Sequence, residues 1–179
     1  MNFPKNLRSL LLLGLISCVG VWSCNSRSGK PKVLVFSKTA GYYHTSIPSG
    51  VAAIQKLGAD NDFEVDTTTQ SEKFTEENLA QYSAVIFLST TGDVLNNYQE
   101  ADFERYIQAG GGFVGIHAAA DTEYDWGWYA RLVGGNFADH PGINDPNPNV
   151  QSGEINVVDA SNAATTFLPS PWKRTDEWY

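Results

Sequence analysis

Short apolar runs and amphipathic segments alternate along this chain, and the two patterns predict strands and helices in turn. Most of the runs have the apolar content of buried parallel strands, and one alternates as a half-buried strand does. The four predicted strands are residues 32–37, 63–68, 84–89 and 113–117. Strands that are connected through helices lie parallel in one sheet, with helices on both of its faces. The pattern therefore predicts an α/β fold of three layers around a mostly parallel sheet.

Three helices are predicted between these strands. The first begins at Pro48 and stops at Gly58, the second is capped by Thr75, and the third spans residues 97–108. Their apolar faces are predicted to be, in the same order, Val51, Ile54 and Leu57; Leu79 and Tyr82; and Tyr98, Phe103, Tyr106 and Ile107. After residue 136 the chain is rich in loops, and one more strand is predicted over residues 154–158.

Polar loops follow the predicted strands, and ligands of open parallel sheets bind at this carboxyl edge. The chain has 3 histidines, and each falls in a loop or at a strand end: His44, His117 and His140. Imidazole titrates near neutral pH, so it serves as an acid, a base or a metal ligand. Because His44 and His117 both follow strand ends, we expect their rings to meet in one cleft. The alternative is that each histidine is a hydrogen-bonded loop residue.

Carboxylates near the histidines are candidates to orient them. Asp121 follows His117 by four residues, which places the two side chains one turn apart if the chain turns into a helix there. We predict catalytic roles for His44, His117, Asp121 and Glu177. Two or three of the histidines with one carboxylate could hold zinc or a similar ion, but their spacing matches no known zinc signature. The cofactor therefore stays open, with a divalent metal as one alternative.

Aromatic residues in the polar loops indicate contacts with a sugar. Four aromatic residues lie within residues 124–129, and the apolar faces of sugar rings stack on Trp and Tyr. The predicted substrate-binding residues are Tyr43, Trp126, Trp128 and His140. The alternative is that Trp126 and Tyr129 cap the core.

Composition and spacing exclude several other classes of function. With 42% hydrophobic and 18% charged residues, the chain is globular rather than disordered. It has 12 Lys and Arg against 20 Asp and Glu, a net charge of -8, so it lacks the basic face that a nucleic-acid partner needs. Residues 110–115 fit G-x-G-x-x-G, but they lead into a strand instead of opening a helix, so NAD is not expected.

Residues 1–24 have the pattern of an export signal, with a positive start and an apolar run too short to span a bilayer. The small residue before Cys24 and the polar tether over residues 25–31 resemble a bacterial lipoprotein processing site, with Cys18 as a rival. We expect lipidation at Cys24 and a location in the periplasm or at the cell surface, with the lipid anchor as the only membrane contact. A plain secretory signal or an uncleaved anchor is the alternative. Both cysteines lie in this leader, so residues 32–179 are expected to fold as one domain without a disulfide or a cysteine nucleophile.

Five segments together resemble the ThuA-like (trehalose utilisation) family. They are KVLVF at 32–36, YHTSI at 43–47, GGGFVGIHAA at 110–119, FADHP at 137–141 and DEWY at 176–179. The resemblance implies a flavodoxin-like fold similar to that of class I glutamine amidotransferases. Those enzymes carry a nucleophilic cysteine after a strand, and His117 stands at that place in this chain. Thioester chemistry is therefore excluded, since imidazole cannot replace a thiolate in that mechanism.

The family's link to trehalose and related sugars, including keto-glycosides, makes a small carbohydrate the expected substrate. The resemblance favours a protein of carbohydrate utilisation whose histidines perform hydrolase- or lyase-type chemistry. Two alternatives stay open: a non-catalytic carbohydrate-binding module and a zinc-dependent hydrolase of unknown substrate. Members of the family continue beyond the Asp-Glu-aromatic motif, so we expect the domain to be truncated at its C-terminus, with a closing strand and helix missing.

Overall fold

Four parallel strands form the central sheet of the chain, for which a computed structural model describes residues 29–142 and 144–178. The strands are β1 (Lys32–Phe36), β2 (Glu64–Thr68), β3 (Ala84–Leu88) and β4 (Gly112–Ile116). Their order across the sheet is β2-β1-β3-β4, and all three neighbouring pairs are parallel. This sheet confirms the α/β prediction, and each observed strand lies within one residue of its predicted bounds.

Helices pack on both faces of this sheet. They are α1 (Ile47–Asn61), α2 (Glu76–Leu79), α3 (Asn97–Gln108) and α4 (Gly127–Val133). On one face, Ile54 of α1 packs with Val35, Ile86 and Leu88. On the other face lies a larger core built on aromatic rings, of which the most deeply buried are Phe36, Phe74, Phe87, Phe103 and Tyr129. Burying each such ring stabilises the fold by about 1.5–3 kcal/mol. Because one core lies on each face of the sheet, the structure has the three layers that were predicted.

Helix α1 departs from the prediction at Gly58, which is not a stop. The helix continues to Asn61 and ends at Asp62, whose φ of 62° is left-handed. Gly58 is buried instead, and a Cβ there would come within 2.7 Å of the backbone oxygen of Phe63 and of Val65 Cγ2. The glycine therefore permits a close approach of α1 to β2. Because Gly58 takes the position against the sheet, Leu57 turns to solvent, contrary to its predicted place on the apolar face.

Helix α3 has the predicted bounds because its N-terminus carries a strong cap. The side chain of Asn96 accepts hydrogen bonds from the first turn, and the Gln99 side chain accepts one from the Asn96 N–H in return. Phe103 and Tyr106 are buried as predicted, but Tyr98 is 85% exposed. Tyr98 lies in the first turn, so it precedes the part of the helix that packs on the sheet.

A two-stranded antiparallel hairpin follows the sheet. It consists of β5 (Val150–Ile155) and β6 (Trp172–Glu177), with Val150 opposite Glu177. The predicted strand over residues 154–158 is thus correct in kind but too late in position. Across residues 29–142 and 144–178, no helix has the length and apolar content needed to cross a membrane. The predicted signal, with Cys18 and Cys24, lies outside the described residues.

Candidate functional site

The loop after β1 carries His44, and Thr91 holds this loop over the end of β3. The backbone oxygen of Thr91 accepts a hydrogen bond from the N–H of Ala40 at 2.7 Å. Its hydroxyl accepts one from the N–H of Gly41 at 3.2 Å and donates one to the backbone oxygen of Tyr42 at 2.9 Å. Thr91 is fully buried. The loop is therefore fixed to Thr91 from Ala40 to Tyr42, just before His44, whose ring lies against that of His117 after β4.

His117 begins a tight turn directly after β4. Its φ is 53°, a left-handed backbone conformation that costs a non-glycine residue free energy. The turn continues as a 3₁₀ helix over His117–Ala120. The rings of His44 and His117 meet edge to face, with centroids 4.6 Å apart and planes at 85°. The expectation that the two rings meet is confirmed, and their catalytic roles stay a prediction.

Glu177, at the end of β6, lies between two of the imidazoles. Its Oε2 is 3.4 Å from Nε2 of His117, and its Oε1 is 3.4 Å from Nε2 of His140. The other ring nitrogen of His140, Nδ1, lies 3.0 Å from the backbone oxygen of Pro141. A carbonyl oxygen only accepts hydrogen bonds, so Nδ1 carries the proton in this contact. The three side chains are between 25% and 34% exposed, so the cluster is open to solvent on one side.

The environment of His44 favours its neutral form. Burial lowers the pKa of His44 first, and the charge of His117 lowers it further, while Glu177 and Asp121 act in the opposite direction. Its Nδ1 is buried and has no hydrogen-bond partner within the described residues. No hydrogen bond within the described residues therefore fixes the protonation of Nδ1, and the lowered pKa suits His44 to accept a proton at neutral pH.

Comparison with known proteins shows what the chain is similar to. Residues 32–179 match the ThuA family model, which is described as trehalose utilisation. This chain belongs to the ThuA family. No curated protein matches the sequence.

Two solved structures share the fold. One is a ThuA-like protein from Bacteroides uniformis ATCC 8492, with 24% identity and a TM-score of 0.69 over 89% of this chain and 64% of that one. The other is a ThuA-like protein from Parabacteroides merdae ATCC 43184, with 22% identity and a TM-score of 0.63 over 83% of this chain and 62% of that one. The chain thus spans less than two thirds of the length of either protein.

In this member of the ThuA family, Asp121 is linked to the cleft through Tyr124. Asp121 follows the 3₁₀ turn, and its Oδ1 lies 2.6 Å from the Tyr124 hydroxyl. That hydroxyl is also 2.9 Å from the backbone oxygen of Phe137, on the segment that leads to His140. Burial, with the Asp121 hydrogen bond, raises the pKa of Tyr124 to about 12. The Tyr124 hydroxyl has one proton and donates it to one of these two oxygens at a time, and Asp121 acts on His44 through its charge.

The predicted sugar-stacking residues separate into two groups. Tyr43 lies beside His44 in sequence and is 52% exposed, so it is accessible to a ligand. Trp126 and Trp128 stack on each other at 5.0 Å, and each lies 6.3 Å from Phe103. Trp126 also stacks on Tyr129 at 5.8 Å. The structure thus packs both tryptophans, partly buried, against the aromatic core, and for Trp126 this is the alternative that the sequence left open.

Two residues of the cleft carry no prediction from the sequence. Tyr42 meets the ring of His44 edge to face at 4.9 Å, and its own side chain is 70% exposed. Asn149 donates a hydrogen bond from its Nδ2 to Oε1 of Glu177. Tyr42 could have been included for its position beside the histidine loop. Asn149 could not, because only the pairing of β5 with β6 brings it to Glu177.

In the part of the chain that the structure describes, the histidine nitrogens do not form a group with the spacing of metal ligands. Within the described residues, the group of three ligand atoms that lie within 4.8 Å of one another is Asp93, Glu100 and Glu123. Glu123 is buried, and its Oε1 accepts hydrogen bonds from the N–H groups of Val94 and Leu95. Burial raises its pKa to about 7. Zinc held by the histidines stays a prediction, and it would require their nitrogens to move closer together.

Proposed function

We propose that this ThuA-family protein acts on a glycoside or keto-sugar by acid–base chemistry at His44 and His117. The observation that carries the proposal is the meeting of these two rings, with centroids 4.6 Å apart, at the carboxyl edge of the parallel sheet. The sugar class follows from the family, which is described as trehalose utilisation. Hydrolase- or lyase-type chemistry needs an acid and a base on opposite sides of one bond, and two nearby imidazoles can supply both.

The different surroundings of the two rings support different roles for them in the proposed reaction. His44, whose pKa is lowered by burial, is the base. His117, which faces the Glu177 carboxylate, is the acid. On a keto-glycoside, His44 removes a proton from the carbon between the ketone and the anomeric carbon. The electron pair of that C–H bond forms a C=C bond, the glycosidic C–O bond breaks, and the departing oxygen takes a proton from His117. The products are an unsaturated keto-sugar and the free alcohol.

The exposed aromatic residues beside His44 are suited to hold the substrate. Tyr42 and Tyr43 are both more than half exposed and lie in the loop that Thr91 fixes. Sugar rings present C–H faces to such side chains, and a prepositioned loop loses little entropy on binding. His140, on the far side of Glu177, is placed to contact a hydroxyl group of the substrate. Trp126 and Trp128, which pack partly buried against the aromatic core, carry no step of this proposal, and their contact with a sugar stays a prediction.

Turnover of a panel of disaccharides and their keto derivatives tests the proposal. We expect product from at least one keto-glycoside with the unaltered protein and none with His117→Ala, while the exposed control Asn61→Ala behaves as the unaltered protein. Sugar affinity measured alongside separates the alternatives. Affinity without turnover in every sample would replace the enzyme with a carbohydrate-binding module. Turnover that disappears with a chelator and returns with zinc would replace acid–base chemistry with a zinc-dependent hydrolase.

We also propose that the protein is anchored to a bacterial membrane by lipidation of Cys24. The apolar run before this residue and the polar tether after it support the proposal. In cells fed a labelled fatty acid, Cys24→Ser should lose the label and leave the membrane fraction. Cys18→Ser is the matched control and should keep both. Loss of the label only in Cys18→Ser would move the processing site to that cysteine.

A further inference from the structure

Asn149 occupies a fixed position beside Glu177. It directly precedes β5, and the hairpin register sets Val150 opposite Glu177. The backbone oxygen of Asn149 accepts a hydrogen bond from the N–H of Trp178 at 2.8 Å, which closes the end of the hairpin. The residue is only 7% exposed. The backbone of Asn149 is therefore held by the hairpin, and burial leaves its side-chain amide little freedom to turn.

The contact between the two side chains has one possible direction. A carboxylate only accepts hydrogen bonds, so the Asn149 Nδ2 is the donor to Oε1 of Glu177. The same oxygen faces His140, and the second oxygen faces His117. Both imidazole contacts are 3.4 Å long, beyond the usual length of a hydrogen bond. The Asn149 amide thus gives the carboxylate a direct hydrogen bond from a buried donor, which can orient it.

The other end of the Asn149 amide is left unsatisfied. Its Oδ1 is buried and has no hydrogen-bond partner within the described residues, a property it shares there with Nδ1 of His44 in the same cleft. A buried polar atom without a partner destabilises the fold. An apolar residue of similar size would avoid that cost. The useful group of the amide is therefore its N–H donor, which forms a hydrogen bond with Glu177.

We propose that Asn149 is a positioning residue that holds the Glu177 carboxylate between His117 and His140. As a neutral donor it orients the carboxylate without adding charge, so both imidazoles keep Glu177 as their negatively charged neighbour. The importance of this arrangement for turnover rests on the proposed acid–base function. The arrangement itself is tested without substrate.

Nitrogen-15 NMR of the full chain at one pH reads the contact directly, because the chain has only 3 histidines and all lie in this cleft. Glu177→Gln defines the signal changes of His117 and His140 when the carboxylate is removed. We expect Asn149→Ala to move the same signals in the same direction. In the double variant, Asn149→Ala should add no further change to that of Glu177→Gln. Unchanged imidazole signals in Asn149→Ala, or full additivity in the double variant, would overturn the proposal.

Stability and kinetics separate positioning from a purely structural role. Asn149→Ser is a second variant that keeps a small polar side chain but shortens its reach. If both variants fail to fold, Asn149 is a structural residue and the proposal is wrong. If they fold and a keto-glycoside is turned over, we expect kcat to fall about tenfold with little change in KM, as for a lost hydrogen bond to a charged group. Absence of turnover in the unaltered protein would contradict the proposed function and leave the NMR result to decide on Asn149.

Discussion

The parallel sheet and the C-terminal hairpin differ in how much of their surface they bury. Strands β1 and β3 carry fully buried side chains such as Val35 and Phe87, whereas every residue of β5 and β6 is exposed or half-buried. Yet the cleft takes side chains from both regions. The sheet supplies His44 and His117, and the hairpin supplies Glu177.

This difference separates the stability of the fold from the completeness of the site. The imidazoles lie on loops anchored in a densely packed core, so their positions depend on the same contacts that stabilise the protein. Glu177 lies on an element with little burial, so its position depends on a few polar contacts. We therefore expect substitutions in the sheet to act on folding and substitutions in the hairpin to act on the site.

The largest effect is expected from the sheet core. Phe87 is fully buried and packs against five other aromatic rings: Phe36, Phe74, Phe103, Phe113 and Tyr129. Phe87→Ala should lower the free energy of unfolding by about 3–5 kcal/mol, measured by urea denaturation. Phe167→Ala, between the hairpin strands and 75% exposed, is the matched control and should cost less than about 0.5 kcal/mol. Similar losses of unfolding free energy in both variants would contradict the idea that the sheet core, and not the hairpin, determines stability.

The buried acid Glu123 should make stability depend on pH. Burial raises the pKa of Glu123 to about 7 in the fold, above its ordinary value of 4.5. The folded state therefore binds the proton more tightly than the unfolded state, and its contribution is complete below pH 4.5 and lost as pH rises through 7. The free energy of unfolding should fall over that window by at most about 3 kcal/mol. Glu123→Gln should remove this decline, and the exposed Glu72→Gln should keep it. A decline of equal size in both would assign it to other groups.

Substitution of Glu177 on the hairpin should lower turnover and leave stability nearly unchanged, unlike substitution of Phe87 in the core. Glu177→Gln keeps the shape of the side chain but removes the charge that faces His117 and His140. We expect keto-glycoside turnover to fall by about 10- to 100-fold, because both imidazoles lose the negative charge that faces them and the Asn149 donor loses its charged acceptor. Because the residue is partly exposed, the urea midpoint should hardly change. A large loss of stability with normal specific activity would show that Glu177 is structural.

The smallest expected effect is the position of the pH at which activity declines on the acid side, which depends on the proposed base His44. The pKa of His44 is below its ordinary value of 6.5 because the ring is buried. His44 must be neutral to accept a proton, so activity should persist as pH falls and decline only through a midpoint below 6.5. A pH profile of kcat/KM measures this midpoint. An acid limb centred above 6.5 would contradict the assignment of His44 as the base.

The parts of the fold that follow from local patterns could be predicted from the sequence. The strands, the bounds of α3 and the meeting of His44 with His117 all follow from short-range periodicity, capping and the rule that parallel strands end at one edge. The prediction failed at Leu57, because the close approach at Gly58 is a tertiary contact with β2. Local apolar spacing does not contain that information.

The composition of the site was predictable only in part, for a related reason. Glu177 could be named as a candidate for its charge, but its place between two imidazoles depends on the hairpin register. Trp126 and Trp128 have the chemistry of sugar-binding residues, yet their stacking on Phe103 and Tyr129 is decided by packing against α3. Residue type suggests what a side chain can do, and long-range packing decides where it does it.

A double-mutant cycle on turnover tests most directly whether His44 and His117 act as one acid–base pair. The single variants His44→Ala and His117→Ala and the double variant are compared on the best keto-glycoside, with Asn61→Ala as control. If the two rings serve one bond-breaking step, either single substitution should abolish most of the turnover, and the double variant should be scarcely worse than the singles. Losses that multiply in the double variant, or normal turnover in either single variant, would show that the two imidazoles do not work together.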